Sequence, residues 1–288
     1  MKLTIGDNIP VTADAVLVGK LGTYQIEIRQ PKWLAQLNRF SQAGGAVIAD
    51  YTDHHIAIRS QQSSFYRELL EIAHLLITPS ESMKAQLSAS LDTLVHVIED
   101  KLEFGGLPPK DPENYSNTVL WFGHESNLIF LSNLVLEWPD SLSDKTVLIV
   151  SGKGGDALLK HHLDGKKVKI NLQYLEWSIT TLMLAARRAD VAVIPSDGGS
   201  YKQYASNNRL VSSLTLGLPT VATPLPSYRE FKDCFADLSR PEGEATLSRP
   251  DLGVSGVRLF QKHYMQRFSE QAIIESWQKA FSEHLATS

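Results

Sequence analysis

The chain has 288 residues, enough for two domains of ordinary size. Its 28 Lys and Arg residues and 32 Asp and Glu residues give a net charge of -4, which argues against nucleic acid or an anionic membrane surface as a partner. A single cysteine, Cys234, excludes an internal disulfide, and the lack of a secretory or membrane-spanning apolar run favours a cytoplasmic protein.

Short apolar runs alternate with amphipathic segments from about residue 14 onward, the pattern typical of βα units and a parallel sheet. In the first half, the predicted strands are 15–19, 46–50, 75–78 and 95–98, and the predicted helices are 32–42, 64–72 and 81–90. Ser80 is placed to cap the third helix, and Gly44 supplies the left-handed stop after the first.

Residues 102–117 are rich in Gly, Pro and polar residues and separate two periodic regions, which predicts a linker. A second set of strands follows at 119–122, 146–150, 168–172, 191–194 and 220–222, and a helix opens near Asn207. From Ser255 to the end, aromatic and aliphatic residues recur at helical spacing and predict a pair of helices. We therefore predict an α/β protein with two Rossmann-like lobes, each built on a parallel sheet.

The segment 189–231 contains a series of landmarks in a fixed order. They are Pro195 at a strand end, Asn208-Arg209-Leu210 at a helix start, Gly217-Leu218-Pro219 at its end, and Ala222-Thr223 at the next strand end. This series resembles the C-terminal lobe of GT-B glycosyltransferases, in the nucleotide-sugar-using group related to glycogen synthase. The resemblance covers most of the chain and is strong only within this segment.

The resemblance implies a GT-B fold whose first lobe is shortened, because the predicted strands begin only at residue 15 and about half of an ordinary acceptor lobe has no counterpart. The implied parts are a first lobe at 1–103, a linker at 104–117, a nucleotide-sugar-binding lobe at 118–261, and a closing helix at 262–288 that returns to the first lobe. Missing strands would leave an exposed sheet edge, which favours a homo-oligomer or a partner subunit.

The helix near residue 207 has the chemistry of an anion site. Ser206 can cap a helix that begins at Asn207 and Asn208, so that unpaired N–H groups and the positive end of the dipole face a bound anion. Arg209 lies in the first turn, where a cation conflicts with the dipole unless an anion is bound. The resemblance gives Arg209 the diphosphate-binding role, whereas the simpler reading is an ion pair with a surface carboxylate.

Other donor contacts are expected on the loops of the second lobe, beyond the strand ends. Gly123 would let the backbone approach a phosphate, or it simply makes a turn. Trp177 offers a ring on which a nucleotide base could stack, or it belongs to the core. The resemblance places Ser200 and Lys202 at the donor sugar and phosphates, and the alternative is a surface loop without a ligand.

Two features of the family pattern are missing. Relatives carry a Glu-x7-Glu pair before the glycine that ends the helix, and counting back from Gly217 puts Ser212 and Tyr204 at those positions. Ribose binding must therefore use other groups. His124 and its neighbours also replace the Arg and Lys that usually follow the first glycine turn.

In the first lobe, the clearest polar cluster is the segment ADYTDHHI at a strand end. Asp53 beside His54 suits a general base that deprotonates an acceptor hydroxyl, and the resemblance places both in the cleft between the lobes. The other interpretation is that these side chains only cap the next helix or bond loop backbone.

We predict a metal-independent glycosyltransferase that moves a sugar from a nucleoside diphosphate donor in the second lobe to a hydroxyl acceptor in the cleft. Arg209 would stabilise the departing diphosphate. No cofactor is expected, since the nucleotide sugar is a substrate, and no metal site is predicted. The alternatives are a noncatalytic GT-B-like protein that binds a nucleotide sugar or a partner, and an epimerase of the same shape.

Overall fold

The computed structural model describes residues 5–21, 26–53, 55–57, 62–197 and 204–285. Tertiary contacts divide these residues into two compact units. The first unit comprises the described residues up to Asp100, Tyr204–Ser206 and those from Glu270 onward. The second unit comprises the described residues of Lys101–Gln203 and Asn207–Ser269. The domain boundaries predicted from the sequence stay predictions.

The first unit is a parallel sheet with helices on both faces. Its strands are β1 (Ala15–Val18), β2 (Ala46–Asp50), β3 (Leu75–Thr78) and β4 (Leu94–Val97), in the order β1-β2-β3-β4. Its helices are α1 (Ile26–Gln42), α2 (Ser63–Ile72) and α3 (Glu81–Ser88), together with the C-terminal helix Glu270–Leu285.

Alternation along β2 explains why this sheet needs helices on both sides. Val47 and Ala49 point into a core formed with helices α1 and α2, whereas Ile48 points to the other face. On that face it meets Ala280 of the C-terminal helix. The side-chain period of two therefore fixes which helix covers which face.

The second unit contains a six-stranded parallel sheet within the described residues. Its strands are β5 (Thr118–Phe122), β6 (Thr146–Ser151), β7 (Asn171–Glu176), β8 (Val191–Ile194), β9 (Thr220–Ala222) and β10 (Ala236–Asp237). Its helices are α4 (Leu128–Leu136), α5 (Gly155–Leu163), α6 (Ile179–Arg188), α7 (Asn208–Thr215), α8 (Pro241–Ser248) and α9 (Val254–His263), and the C-terminal helix of the first unit is α10.

The strand order β10-β9-β8-β5-β6-β7 defines where this unit can bind a ligand. The chain builds outward from β5 to β7 in one direction and then from β8 to β10 in the other. The order therefore reverses between β5 and β8, which is the topological switch point of a doubly wound sheet. Ligands of such sheets bind beyond the carboxyl ends of the strands at this point.

The structure confirms most of the predicted elements and corrects several. β2, β3, β8 and β9 have the predicted bounds, and the others differ by a residue or two except at α1 and β7. Helix α1 begins at Ile26 and carries Pro31 inside it, although proline usually marks a helix start or stop. β10 and α8 were not predicted.

The prediction for β7 was wrong by several residues, because it followed the apolar run 168–172. The strand is Asn171–Glu176, whose side chains are alternately exposed and partly buried along most of its length. This alternation is typical of a half-buried strand at a sheet edge. Tyr174 consequently belongs to this strand.

The predicted linker is held against the second unit at several points. Leu107 N–H donates to the carbonyl of Thr215 at 2.9 Å, and Gln261 Nε2 donates to the Leu107 carbonyl at 2.8 Å. Farther along, Lys110 Nζ lies 2.7 Å from Oδ1 of the buried Asp190. These bonds make residues 107–110 part of the packed structure instead of a flexible spacer.

Helix α7 ends in a Schellman motif at Gly217. Gly217 has φ of 77°, its N–H donates to Leu214 O at 3.1 Å, and the N–H of Leu218 donates to Ser213 O at 3.1 Å. A Cβ at this position would lie 2.5 Å from the carbonyl oxygen of Pro108. Glycine is required here by both backbone conformation and space.

We expect Gly217→Ala to lower the free energy of unfolding by about 2 kcal/mol or more, because left-handed strain adds to a clash with backbone. Gly44→Ala is the matched control, since Gly44 also has positive φ (89°) but has no atom within 4 Å of a built Cβ. It should lose only about 1 kcal/mol. Urea denaturation measures both, and equal losses would show that the packing around Gly217 is wrong.

Candidate functional site

Two segments of the second unit meet at the switch point. Gly123 follows β5, where its N–H donates to Val150 O at 3.1 Å and its carbonyl accepts from Ser151 Oγ at 2.7 Å. Arg209 lies in the first turn of α7, the helix that follows β8. A Cβ at position 123 would lie only 3.4 Å from Nε of Arg209. Gly123 therefore makes room for the guanidinium group.

The side chain of Arg209 is partly buried, and it has no counter-ion among the described residues. Its Nε and Nη2 atoms are buried and have no hydrogen-bond acceptor. Its Cζ lies 5.3 Å from the centroid of the Trp121 ring, a cation–π contact. Burial lowers the pKa of Arg209, and burial raises the pKa of the neighbouring Tyr228 although the Arg209 charge opposes that rise.

The alternative that Arg209 pairs with a surface carboxylate is therefore wrong for the described residues, and the anion-site interpretation stays a prediction. An arginine remains charged even when its pKa falls, because its ordinary pKa is above 12. Burying such a charge costs several kcal/mol, whereas a cation–π contact returns about 0.5–2 kcal/mol. A bound anion would therefore stabilise the Arg209 side chain in this position by neutralising its charge.

The start of α7 differs from the predicted capping arrangement. Asn208 is the first helical residue, and Asn207, which is 1 % exposed, occupies the N-cap position without a side-chain capping bond. Ser206 lies one residue farther out and is not the cap. Ser212 lies one turn farther along α7 and is partly buried.

Sequence reasoning missed two other buried hydroxyls at the same edge of the sheet. Ser196 follows β8, and Ser227 follows β9. The Oγ atom of each is buried and has no hydrogen-bond partner within the described ranges. The backbone of Ser196 is fixed by Thr223, whose Oγ1 accepts from Ser196 N at 3.0 Å. Their position after neighbouring parallel strands is the signal that could have identified them.

The remaining predicted donor residues have different surroundings. Trp177 is 49 % exposed, so the alternative that it belongs to the core is wrong. Ser200 and Lys202 lie outside the described residues. Glycine-rich residues 152–155 form an ordinary βα turn, in which Gly154 adopts φ of 94° and Tyr174 donates to the Gly152 carbonyl. Glu125 reaches over Gly152, which makes this loop unsuitable for an anion.

The predicted polar cluster of the first unit lies at the carboxyl end of β2. Asp53 forms an ion pair with Lys20, and both side chains are more than half exposed. His54 lies outside the described residues, so its role and that of Asp53 as catalytic groups stay predictions. Asp50, which ends β2, is more strongly perturbed, because burial and the nearby Asp100 raise its pKa from 3.8 to about 6.

His55 adds a second perturbed group to this cluster. It is 7 % exposed, its ring is stacked on Tyr66 with centroids 4.2 Å apart, and neither ring nitrogen has a hydrogen-bond partner in the part of the chain that the structure describes. Burial lowers its pKa, which favours the neutral imidazole. A carboxyl with a raised pKa and a neutral imidazole can each accept a proton from a substrate near neutral pH.

Arg209 does not line either of two grooves of the second unit. One of about 300 Å³ runs between α5 and β7 and includes Leu159, Leu172 and Tyr174. Another of about 260 Å³ lies between residues 107–110 and the end of α6. The described part of the chain brings together no group of three or more His, Cys, Asp or Glu side chains that could hold a metal ion. None of its helices is long and apolar enough to cross a membrane.

No protein-family model matches this chain, and no curated protein matches it. Solved structures do. Sucrose-phosphate synthase from Thermosynechococcus elongatus is similar over 93% of this chain and 81% of its own, with 13% identity and a TM-score of 0.65. The UDP-forming trehalose-phosphate synthase from Burkholderia xenovorans is similar over 96% of this chain and 75% of its own, with 8% identity and a TM-score of 0.58.

The GtfA/B complex is also similar, over 96% of this chain and 58% of that chain, with 13% identity and a TM-score of 0.59. Identities this low define the fold alone. The chain has the GT-B glycosyltransferase fold, as the resemblance in segment 189–231 predicted. Arg209 and Gly123 stand at the switch point of its second sheet.

The unpaired charge of Arg209 predicts a gain in stability when it is removed. We expect Arg209→Met, which keeps much of the length and apolar surface, to raise the free energy of unfolding of the ligand-free protein by about 1 kcal/mol or more. The control is Arg187→Met at the exposed end of α6, which should change it by less than about 0.5 kcal/mol. A large loss of stability in Arg209→Met, measured by urea denaturation, would mean that the guanidinium has a partner.

Asp50 predicts a dependence of stability on pH. Its pKa of about 6 in the folded protein exceeds the ordinary 3.8, so its contribution to stability is present below about pH 4 and is lost as pH rises through about 6. Asp50→Asn should therefore be more stable than the wild type at about pH 8, and the advantage should disappear near pH 4.

The measurement for Asp50 is urea denaturation across this pH range. Asp92→Asn is the control, because Asp92 is an exposed carboxylate of the same unit. Identical pH profiles for Asp50→Asn and the wild type would show that Asp50 is not perturbed.

Proposed function

We propose that this protein is a glycosyltransferase that moves a sugar from a nucleoside diphosphate donor to a hydroxyl acceptor, with the diphosphate bound at the switch point of the second sheet. The observation that carries the proposal is the Arg209 side chain, whose Nε and Nη2 are buried and have no acceptor among the described residues. A diphosphate offers oxygen atoms that match a guanidinium fork and neutralise its charge.

The surroundings of Arg209 suit a phosphate for two further reasons. Arg209 lies in the N-terminal turn of α7, where the helix dipole has its positive end. Gly123 brings β5 close to the guanidinium, with no side chain between them. The charge of Arg209 and the positive end of the α7 dipole therefore both lie near the carboxyl ends of β5 and β8.

The same groups would promote the reaction. When the bond between the anomeric carbon and the donor oxygen breaks, negative charge develops on the departing diphosphate. Arg209 is fixed by its contact with Trp121, so it stabilises that charge without needing to reorganise. The acceptor oxygen forms the new bond to the anomeric carbon and releases its proton.

The first unit supplies groups that could take the acceptor proton. Asp53 and His54 are the predicted base, and Asp50 of the same segment is a carboxyl whose pKa is raised to about 6. Trp177 presents an exposed ring that could stack on a nucleotide base. Ser200 and Lys202 remain proposed contacts of the donor sugar and phosphates, as do Ser206, Asn207, Asn208 and Ser212.

The donor site is tested by binding of nucleoside diphosphates. One or more of UDP, ADP and GDP should raise the melting temperature, and Arg209→Met should weaken the binding at least tenfold, because a charge-assisted hydrogen bond contributes about 1.5–3 kcal/mol. Titration calorimetry gives the dissociation constants. Arg187→Met should bind as the wild type does.

Catalysis is tested separately from binding. The wild type should release nucleoside diphosphate slowly from the matching nucleotide sugar in water, and Arg209→Met should lose this activity. Binding without any release would favour the noncatalytic alternative, to which the missing Glu pair at Tyr204 and Ser212 also points. No binding by any of the nucleotides, or equal binding by Arg209→Met, would overturn the proposal.

A further inference from the structure

Strand β1 is an edge of the first sheet, because among the described residues it pairs only with β2. Ala46 N–H donates to the Asp14 carbonyl at 3.1 Å, so the backbone groups of Asp14 face β2. Backbone direction alternates along a strand, which turns the N–H and C=O groups of Ala15, Leu17 and Gly19 outward. These groups form a template for another strand.

The side chain at the centre of this template is exposed. Leu17 is 47 % exposed, whereas Ile48, its partner in the β1–β2 register, is 1 % exposed beneath α10. Burial of the exposed half of the Leu17 side chain would contribute about 1 kcal/mol of stabilisation. The edge therefore has both unpaired backbone and uncovered apolar surface.

The charges that flank β1 are arranged symmetrically about Leu17. Asp14 lies three residues before it and Lys20 three residues after it. If two copies of β1 ran antiparallel about a two-fold axis through Leu17, each Asp14 would stand opposite the Lys20 of the other copy, where it would share that lysine with Asp53. Opposite charges at directly facing positions contribute about 0.2–1 kcal/mol per pair, and like charges oppose pairing.

This register also satisfies the geometry of an antiparallel ladder. Directly opposite residues must point to the same face of the sheet, and Asp14, Val16, Val18 and Lys20 all share one face. The outward backbone groups also match, since Leu17 would stand opposite Leu17, and Ala15 opposite Gly19. Both residues of each such pair can exchange two hydrogen bonds.

The edges of the second sheet lack this symmetry. Lys169 lies before β7, and Glu176 is its last residue. These two charges are separated by an odd number of positions and point to opposite faces, so a two-fold axis cannot pair them across a continuous sheet. The other edge strand, β10, has only two residues.

We propose that β1 pairs with β1 of a second copy of this chain, so that the two first-unit sheets form one continuous sheet. The two β1 strands run antiparallel, and Leu17 lies at the centre of their contact. The contact area of two short strands is small, so the dimer forms reversibly and is weakened by salt. The dimer is independent of the donor site, because its formation is measured without nucleotide.

Sedimentation equilibrium over a range of protein concentrations tests the dimer. The wild type should shift from a mass of 32.0 kDa toward twice that value as concentration rises. Leu17→Lys should stay monomeric, because two lysines would meet at the axis. The control is Leu252→Lys, since Leu252 is 49 % exposed but belongs to the second unit, and it should dimerise as the wild type does.

A charge exchange tests the register. Asp14→Lys should weaken the dimer at least several-fold by placing two lysines opposite each other, and the double variant Asp14→Lys with Lys20→Asp should restore it. Circular dichroism confirms that each variant is folded. A wild type that stays monomeric, equal effects of Leu17→Lys and Leu252→Lys, or a double variant as weak as Asp14→Lys overturns the proposal, and leaves the donor-site proposal untouched.

Discussion

The structure of the second unit depends on how it accommodates the buried positive charge of Arg209. The charge rests on the Trp121 ring and beside Gly123, and two of its nitrogens have no acceptor among the described residues. A cation–π contact offsets only part of the cost of burial. The packing of a sheet that is buried on both faces offsets the rest of this desolvation cost. Such an arrangement is typical of a site that becomes more stable when its ligand binds.

Much of the fold could be predicted from the sequence, because buried parallel strands are short apolar runs bounded by turn residues. The bounds of β2, β3, β8 and β9 follow directly from that pattern. β7 was misplaced, since an edge strand alternates exposed and partly buried residues and the predicted run 168–172 only overlaps its start. The first helix was predicted from residue 32, whereas α1 begins at Ile26 and includes Pro31.

The site was predicted less completely than the fold. Arg209 and Gly123 could be identified because the sequence places both after strands, but their contact depends on the order in which those strands pair. Trp121 and Tyr228 look like ordinary core residues, and only the three-dimensional structure shows them beside the charge. In the same way, Asp50 resembles the other polar residues of its cluster until burial raises its pKa.

The most direct test of the account is a crystal structure of this protein with a nucleoside diphosphate bound. The account requires phosphate oxygens within hydrogen-bond distance of Nε or Nη2 of Arg209, beside Gly123 and the first turn of α7. A diphosphate bound at another place, with the guanidinium still lacking an acceptor, would contradict the central claim and leave only the GT-B fold.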